Sequence, residues 1–536
     1  MGATAAGEPS PRSTRTALAT LPPELSRILA YASAIGAEFP FELLRAAMAV
    51  EEEPLAESLE RLVELGYVRE RTGGGRFAFV DEEVRGAVYR SMTESRLRVL
   101  HRKIAEALER ANPDPSEAVV AELGRHYFLG KMSERSYAYN RRAAAAAEEA
   151  HQPAAAIHAL ERALVDLGAV GPGRSSERAE VAERLGDLSF GVGSFRAADR
   201  YYREALDAVA EEHPRVRARL LLARAEVARE GLDANAAVRG AREALKLFEL
   251  DPDPYGEAQA YRLLGRVAFQ HGRYRDALDE TMRALEALPA GADPNTLGRL
   301  SIDLGNAFTL LGEDVRPVAI EWYRRAVERL RAARNWAELA RALHHLGSAV
   351  GEARPDEGLE LLERAREAAT QAHDARAVGR ILLSGVELRI ALGQLEEAER
   401  DNDQAGRLLE GLSDALGSEQ VTLNRGRIAD KRGRWDDAAD AYGRAAEIAR
   451  RLGLTQDEAD AQLYLARLRF KTHDHAAARA AFDRATELNV TELSPRLERV
   501  YLELKQQLES ATDDRDPPAK KADSPGPGSP ADATAG

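Results

Sequence analysis

Small and bulky residues recur along most of this 536-residue chain with a fixed helical spacing. The clearest copy is the phrase "RGRWDDAADAYGRAAEIA" at 432–449, and "GRYRDALDETMRAL" at 272–285 and "GSFRAADRYYREAL" at 193–206 repeat it. Aligned copies follow one another at steps of 39 to 42 residues. The first aligned position is small in all nine copies: Ala156, Ala198, Ala237, Ala277, Ala319, Gly358, Ala398, Ala438 and Ala478.

Two further positions complete the pattern. Four residues on, the side chain is mostly large: Leu160, Tyr202, Ala241, Thr281, Tyr323, Leu362, Asn402, Tyr442 and Phe482. Seven residues on, it is alanine every time: Ala163, Ala205, Ala244, Ala284, Ala326, Ala365, Ala405, Ala445 and Ala485. Offsets of 0, 4 and 7 lie on one helical face. The pattern therefore predicts a helix whose bulky residue packs against a closely approaching neighbour.

A second amphipathic segment precedes each copy, so each unit is expected to be a helical hairpin. Glycines are expected where the two helices cross: Gly186, Gly265 and Gly426. Others are suited to ending the first helix: Gly193, Gly272, Gly393 and Gly433. Asp436 and Asp474 are expected to cap the helix that follows. One hairpin cannot bury its own apolar face, so the hairpins must stack.

The first part of the chain does not repeat. Helical patterns in "LPPELSRILAYASAIG", "PFELLRAAMA" and "PLAESLERLVELG" precede "YVRERTGGGRFAFV", whose alternation around Gly73, Gly74 and Gly75 predicts a β-hairpin. Three helices and a hairpin suggest a winged helix over 21–92, followed by connecting helices over 93–133. At the other end, 494–510 is expected to form a capping helix. The segments 1–20 and 511–536 are poor in large apolar residues and are expected to be disordered.

The repeated phrase resembles the tetratricopeptide repeat over 134–493, although the period of about 40 exceeds the usual 34. HEAT-type repeats of similar period are the alternative, but they lack the phrase of glycine, aromatic, alanine, tyrosine and alanine. The expected fold is therefore all-α, a tetratricopeptide-like α-solenoid of about nine helical hairpins behind a small winged-helix domain.

The front region resembles the winged-helix module of STAND-class signalling ATPases, which include maltose-regulator-like activators. The residues that carry this resemblance are Phe79, Val84, Arg85, Tyr89, Arg96, His101, Ile104, Ala105 and "ELGRHY" at 122–127. Asp81 stands where that family usually has histidine. A phosphate-binding loop, G-x-x-x-x-G-K-[ST], is absent from the sequence, and "GRHYFLGKM" at 124–132 does not fit it. The resemblance implies a sensing and coupling arm without its ATPase: either the ATPase is encoded separately, or the chain works alone.

Composition narrows the class of function. The chain has no cysteine, which excludes disulfides, thiolate metal sites and a cysteine nucleophile. It has no apolar run of membrane-spanning length and no secretory signal pattern, so a cytoplasmic protein is expected. His344 and His345 are adjacent and would diverge on a helix, while His473 and His475 fall in a turn. The sequence shows no catalytic constellation, so the prediction is a non-enzyme with no cofactor and no metal site.

Charge argues against nucleic acid as a partner. The net charge is −14, and residues 20–110 hold 13 Arg and Lys against 16 Asp and Glu. The third helical pattern, which would enter a DNA groove, carries Glu57, Glu60 and Glu64. Neutralising phosphates supplies most non-specific affinity for DNA, and this surface opposes it. DNA binding through the wing residues Arg69, Arg71 and Arg76 remains the alternative to packing or protein contact.

Cations on the first helices of the hairpins suggest a binding face. Arg427 and Lys431, then Arg467 and Lys471, are i, i+4 pairs one repeat apart, which predicts a single cationic patch. Arg262, Arg266 and Asn306 form a weaker set. These seven residues are the candidate partner-binding site, and the alternative is a solvated face paired with neighbouring acids. The expected function is an interaction scaffold or sensor that binds a protein or acidic peptide. The alternative is a transcriptional regulator that uses the winged helix on DNA or senses a small ligand.

Overall fold

The computed structural model describes residues 21–488 and 495–513. The predicted disordered segment 1–20 and residues 514–536 of the predicted tail lie outside the described residues. The described residues form 25 α-helices and one small sheet, and they divide after Val267 into two compact units. None of these helices is long and apolar enough to cross a membrane.

The first unit opens with helices and strands interleaved in the order α1, β1, α2, α3, β2 and β3. Their bounds are α1 (Pro23–Ile35), β1 (Glu38–Pro40), α2 (Phe41–Met48), α3 (Glu52–Glu64), β2 (Val68–Glu70) and β3 (Arg76–Phe79). The antiparallel sheet has the order β1-β3-β2, with Val68 opposite Phe79 and Phe39 opposite Phe77. The predicted hairpin is therefore confirmed. Strand β1 was not predicted, and it brings the fully buried Phe39 into the core.

The rest of the first unit is helical. It contains α4 (Glu82–Arg90), α5 (Glu94–Ala111), α6 (Glu117–Leu129), α7 (Ser133–Glu149), α8 (Pro153–Val170), α9 (Ser175–Gly191), α10 (Phe195–Ala208), α11 (Pro214–Glu230) and α12 (Ala234–Leu250). Helix α13 (Pro254–Gln270) contains the division between the units. Three antiparallel hairpins, α7–α8, α9–α10 and α11–α12, pack within this unit.

The second unit holds the remaining helices. They are α14 (Tyr274–Ala287), α15 (Pro294–Leu311), α16 (Arg316–Ala332), α17 (Trp336–Gly351), α18 (Pro355–Gln371), α19 (Ala375–Leu392), α20 (Leu395–Gly411), α21 (Ala415–Lys431), α22 (Trp435–Leu452), α23 (Thr455–Lys471), α24 (His475–Glu487) and α25 (Pro495–Asp513). Five hairpins, from α15–α16 to α23–α24, stack here, and α25 packs on the last of them.

The repeated phrase forms the interior of these hairpins. The rings of Tyr202 and Tyr442 lie against Gly186 and Gly426, where a Cβ atom would come within 2.5 Å and 2.7 Å of the rings. Tyr323 lies against Gly305 in the same way. The glycines predicted to end the first helices have left-handed φ values: Gly193 at +76°, Gly272 at +70°, Gly393 at +76° and Gly433 at +74°. The all-α, tetratricopeptide-like solenoid is confirmed.

One predicted cap is confirmed and one is wrong. The Asp474 carboxylate accepts a hydrogen bond from the Ala477 amide at 3.1 Å and caps α24. Asp436 does not cap α22, because that helix begins at Trp435 and its N-cap position is Arg434. Asp436 therefore lies in the first turn, where a negative charge still interacts favourably with the helix dipole.

Candidate functional site

The first helices of successive hairpins in the second unit contact one another through side chains one repeat apart. The Asn335 amide donates to Asn295 at 2.7 Å, and His344 bonds Ser384 at 2.8 Å. Further along, Arg427 donates to Glu387 at 2.7 Å. Because the repeat period is close to 40 residues, the same helical position recurs at the same height in each first helix. A continuous polar face results.

The structure places Arg427 inside this face, not on its surface. Its side chain is buried, and Nη1 donates to both Glu387 and Asn424 Oδ1, the latter at 3.1 Å. The guanidinium carbon lies 5.7 Å from the centre of the Tyr464 ring. Arg427 therefore acts as a packed, neutralised strut between α19, α21 and α23. The sequence pattern did not predict its burial, because Glu387 and Tyr464 come from neighbouring hairpins.

The choice of arginine here changes the hydrogen bonding of the hairpin. In two other hairpins the corresponding first-helix residue, Asp187 or Asn306, accepts the hydroxyl of the packed tyrosine at 2.7 Å or 2.8 Å. Arginine has no acceptor atom, so Arg427 cannot take the hydroxyl proton as Asp187 and Asn306 do. The guanidinium group donates to Glu387 and Asn424, and the buried hydroxyl of Tyr442 has no hydrogen-bond partner among the described residues.

The other three predicted cations of this patch are accessible. Lys471 Nζ lies 3.1 Å and Arg467 Nη2 lies 3.7 Å from the carboxylate of Asp430, and their side chains are 54% and 39% exposed. Arg467 also lies over Tyr464, and Lys471 over the ring of Trp435 at 5.8 Å. The structure thus brings Arg427, Arg467 and Lys471 together around Asp430 and Tyr464.

Lys431 lies at the C-terminal end of α21, one helical turn beyond Arg427, and its side chain is exposed. Across the described part of the chain it forms no ion pair of 4.0 Å or less. Trp435, four residues further on, is 47% exposed and lines a cleft of about 480 Å³. The charged residues of that cleft are Arg434, Arg469, Asp436, Asp437 and Asp474. Exposed cations and an exposed aromatic ring therefore lie close together at this edge.

The weaker predicted set does not form one cluster. Arg262 and Arg266 are half-buried in the first unit, and Arg266 Nη1 donates to Glu226 at 2.7 Å. Asn306 belongs to the second unit and accepts the Tyr323 hydroxyl. Arg266 and Asn306 share the repeat position of Arg427: Arg266 bonds to the preceding hairpin, as Arg427 does, whereas Asn306 bonds within its own hairpin.

Sequence reasoning missed a group of acids on the same first helices. Glu419 on α21 is buried, and Asp457 and Asp460 on α23 are half-buried. Burial raises the pKa of Glu419 to about 8 and that of Asp460 to about 7, and neighbouring carboxylates add to both shifts. Acids are common near helix N-termini because of the dipole, so the sequence alone could not single them out.

A second buried polar network lies in the front unit. Arg125 Nη2 donates to His126 Nε2 at 3.0 Å, the two His126 and His101 Nδ1 atoms are 2.9 Å apart, and His101 Nε2 lies 2.9 Å from the Tyr89 hydroxyl. Arginine only donates, so His126 must donate to His101, and His101 must donate to the Tyr89 hydroxyl. Burial lowers the pKa of His101 to about 4 and of His126 to about 2.

Arg125 also donates to the Ile35 carbonyl at 2.9 Å, so the network joins α1, α4, α5 and α6. No serine nucleophile takes part in its bonds. His344 and His345 are half-buried, and desolvation lowers their pKa values to about 4 and about 3. In the described ranges, three or more His, Asp or Glu side chains nowhere converge in a geometry that could hold a metal ion.

Comparison with known proteins gives distant structural likenesses only. No family model matches the chain, and no curated protein matches it. Similar solved structures include a STAND protein with a tetratricopeptide repeat sensor from Pyrococcus horikoshii, at 14% identity and a TM-score of 0.45 over 89% of this chain and 68% of that one.

Aspartyl phosphate phosphatase F from Bacillus subtilis is similar at 13% identity and a TM-score of 0.45, over 71% of this chain and 97% of that one. Yeast Tom70 is similar at 13% identity and a TM-score of 0.37, over 77% of this chain and 93% of that one. The fold is assigned from the stacked hairpins themselves, and the function is inferred from the side chains of their first helices.

Proposed function

We propose that this protein is a non-enzymatic regulatory scaffold that binds an acidic segment of a partner protein on the first helices of its second unit. The observation that carries the proposal is the accessible set Lys431, Arg467 and Lys471: Arg467 and Lys471 share one acid, Asp430, and Lys431 forms no ion pair within the described residues. Their surplus of positive charge stands out in a chain whose net charge is −14.

The chemistry of these side chains selects the class of partner. Arginine forms forked hydrogen bonds to carboxylate or phosphate, and lysine adds a point charge. Trp435 offers an aromatic surface beside Lys471, as is common where proteins bind one another. Arg427 has a different role in this proposal, since it positions Glu387 and Tyr464 from within the packed face. Arg262, Arg266 and Asn306 are proposed to line the first-helix face of their own units, outside this contact.

A photo-crosslinking amino acid at position 435 provides the test. We expect the wild-type background to capture a partner in cells, and the crosslinked segment to be rich in acidic residues. Reversal of the three exposed cations, Lys431→Glu, Arg467→Glu and Lys471→Glu, should abolish capture, because like charges repel across the contact. Capture should also weaken with salt, since exposed charges are screened beyond about 8–10 Å at physiological ionic strength.

The matched control reverses two wing cations, Arg69→Glu and Arg71→Glu, and should leave capture intact. Circular dichroism should show an unchanged fold in both variants, because exposed ion pairs contribute only about 0–1 kcal/mol each. Undiminished capture by a folded three-site variant would place the partner elsewhere on the molecule and refute the proposal.

The front region is proposed to be a winged helix that contacts protein. The helix and strand order, and the sheet order β1-β3-β2, support this assignment. Its excess of acidic residues disfavours DNA. The resemblance to STAND-class proteins makes a separately encoded signalling ATPase a candidate partner. Co-purification of an ATPase that lacks its own winged helix and repeats tests this idea, and its absence from the complex would remove it.

A further inference from the structure

Buried polar atoms without a hydrogen-bond partner are concentrated in one part of the second unit. Of the seven such side-chain atoms in the described residues, four lie on α20, α21 and α22. They are Asn402 Oδ1, Glu419 Oε1, Asn424 Nδ2 and the Tyr442 hydroxyl. Native proteins leave few such groups unpaired, so each calls for a physical reason. At Tyr442 the missing acceptor is explained, because Arg427 stands where Asp187 and Asn306 accept the hydroxyl in two other hairpins. The unpaired oxygen of Glu419 has no such explanation.

Glu419 differs from the other deeply buried acids of the second unit. Glu458 is held by Arg450 Nε at 3.1 Å and Arg484 Nη2 at 2.8 Å. Asp414 lies 3.2 Å from Arg380 Nη2 and also caps α21. A buried carboxylate is costly unless a cation or donors compensate it, and the fold supplies that compensation in these two cases. Glu419 is only 3% exposed and has no such cation.

The immediate surroundings of Glu419 add negative charge. The negative charges of Asp457 and Asp460 on α23 raise the pKa of Glu419, and the charge of Glu387 on α19 raises that of Asp460. The Gln456 amide donates to Asp460 at 3.1 Å, and Arg427 is already committed to Glu387. Helices α20 and α22 bring no charged group that shifts the pKa of Glu419. Asp457 and Asp460 are half-buried, so the cluster is open on their side.

We propose that Glu419, Asp457 and Asp460 form a subsite for one organic cation, the guanidinium or ammonium group of a bound peptide. The unpaired and deeply buried carboxylate of Glu419 forms its floor, and the two half-buried aspartates form its rim. A metal ion is the poorer fit, because these acids are not arranged as a metal-binding group. A guanidinium group satisfies several carboxylate oxygens at once through its fork of donors.

This inference rests on the proposed function, since it names a second contact of the same bound segment. The acids lie in the N-terminal halves of α21 and α23, and the exposed cations lie at their C-terminal ends. From Glu419 to Lys431 the helical rise is about 18 Å, the length of about five extended residues. The preferred segment would therefore carry a basic residue about five positions away from an acidic one.

The free subsite holds a proton that the cation displaces. Burial and the two aspartates raise the pKa of Glu419 to about 8, so its carboxyl group is protonated at neutral pH. A bound guanidinium group favours the carboxylate, and the proton leaves to solvent. Affinity for the cation should therefore fall by up to about tenfold for each pH unit below about 8.

The test uses Nα-acetylarginine amide, which carries one guanidinium group and no other charge, with the full chain in isothermal titration. We expect saturable binding with release of a proton, measured from the dependence of the heat on the buffer. Glu419→Gln and Asp460→Asn should each lower the affinity by about tenfold. The exposed Asp440→Asn on α22 is the matched control and should bind as the wild type does. Nα-acetylcitrulline amide, the neutral isostere, should not bind.

Equal binding of the arginine and citrulline probes, equal binding to wild type and Glu419→Gln, or no saturable binding would overturn the subsite. Thermal melts give a second readout that does not depend on a probe. The folded protein keeps the Glu419 proton up to about pH 8, whereas an ordinary glutamate loses it near 4.5, so stability falls as the pH rises between these two values. Wild type should therefore lose more stability than Glu419→Gln between about pH 5 and about pH 8.

An equal loss in the two proteins would mean that Glu419 is already compensated, and would also overturn the subsite. Should Glu419→Gln fail to fold, Asp460→Asn and the pH dependence of wild-type binding decide the question. Failure of the subsite leaves capture through Lys431, Arg467 and Lys471 intact, so the two proposals can fail separately.

Discussion

At the scale of single residues, glycine has two different roles in this molecule, and the difference can be measured. Gly426 lies against the Tyr442 ring, and a Cβ atom there would come within 2.7 Å of it. At Gly443, on the neighbouring helix α22, an added Cβ atom would have no heavy atom within 4 Å. The first glycine permits the close crossing of two helices, whereas the second weakens a helix without a packing reason.

We therefore expect Gly426→Ala to destabilise the second unit by about 1–3 kcal/mol, because the ring or the helix must move. Gly443→Ala should stabilise it by up to about 1 kcal/mol, because alanine is the better helix former. Thermal melts followed by circular dichroism measure both changes. Equal effects of the two substitutions would show that the hairpin tolerates a wider crossing than the structure has.

At the scale of helices, the two aspartates near helix starts should contribute unequally to stability, because only Asp474 is a side-chain cap. Asp474→Ala removes the side-chain cap of α24 and should cost about 1 kcal/mol. Asp436→Ala removes only a first-turn charge and should cost a few tenths of a kcal/mol. Urea unfolding of the two variants checks the ranking. A larger loss for Asp436→Ala would mean that α22 begins later in solution than at Trp435.

The sequence pattern predicted the helical hairpins but missed one strand and the burial of one arginine. The hairpins followed from the period and from offsets of 0, 4 and 7, because a helix places those positions on one face. Strand β1 escaped prediction, because its three residues pair only with the distant β3. The burial of Arg427 escaped too, since Glu387 and Tyr464 reach it from two other hairpins. Local periodicity sets which face is buried, and contacts between repeats decide the chemistry of single side chains.

At the scale of the whole molecule, charge separates the proposed scaffold from a DNA-binding regulator. The chain carries a net charge of −14, and its helix α3 presents Glu57, Glu60 and Glu64. Arg71 of the β2–β3 hairpin is already paired with Glu38 at 2.9 Å. A protein binds DNA without sequence preference by neutralising phosphates, and each acid near the contact adds repulsion.

We therefore expect no retention of a random-sequence DNA duplex in a gel-shift assay at about 0.15 M salt and about 10 µM protein, a range in which non-specific binders are retained. A duplex from the region upstream of the gene should behave in the same way, because base contacts add to phosphate contacts and do not replace them. Retention that weakens with salt and disappears in the Arg69→Glu, Arg71→Glu variant would favour the regulator. Such a result would mean that the β2–β3 hairpin binds DNA despite the acidic charge around it. Because capture of a protein partner does not depend on Arg69 and Arg71, the same variant separates the two functions.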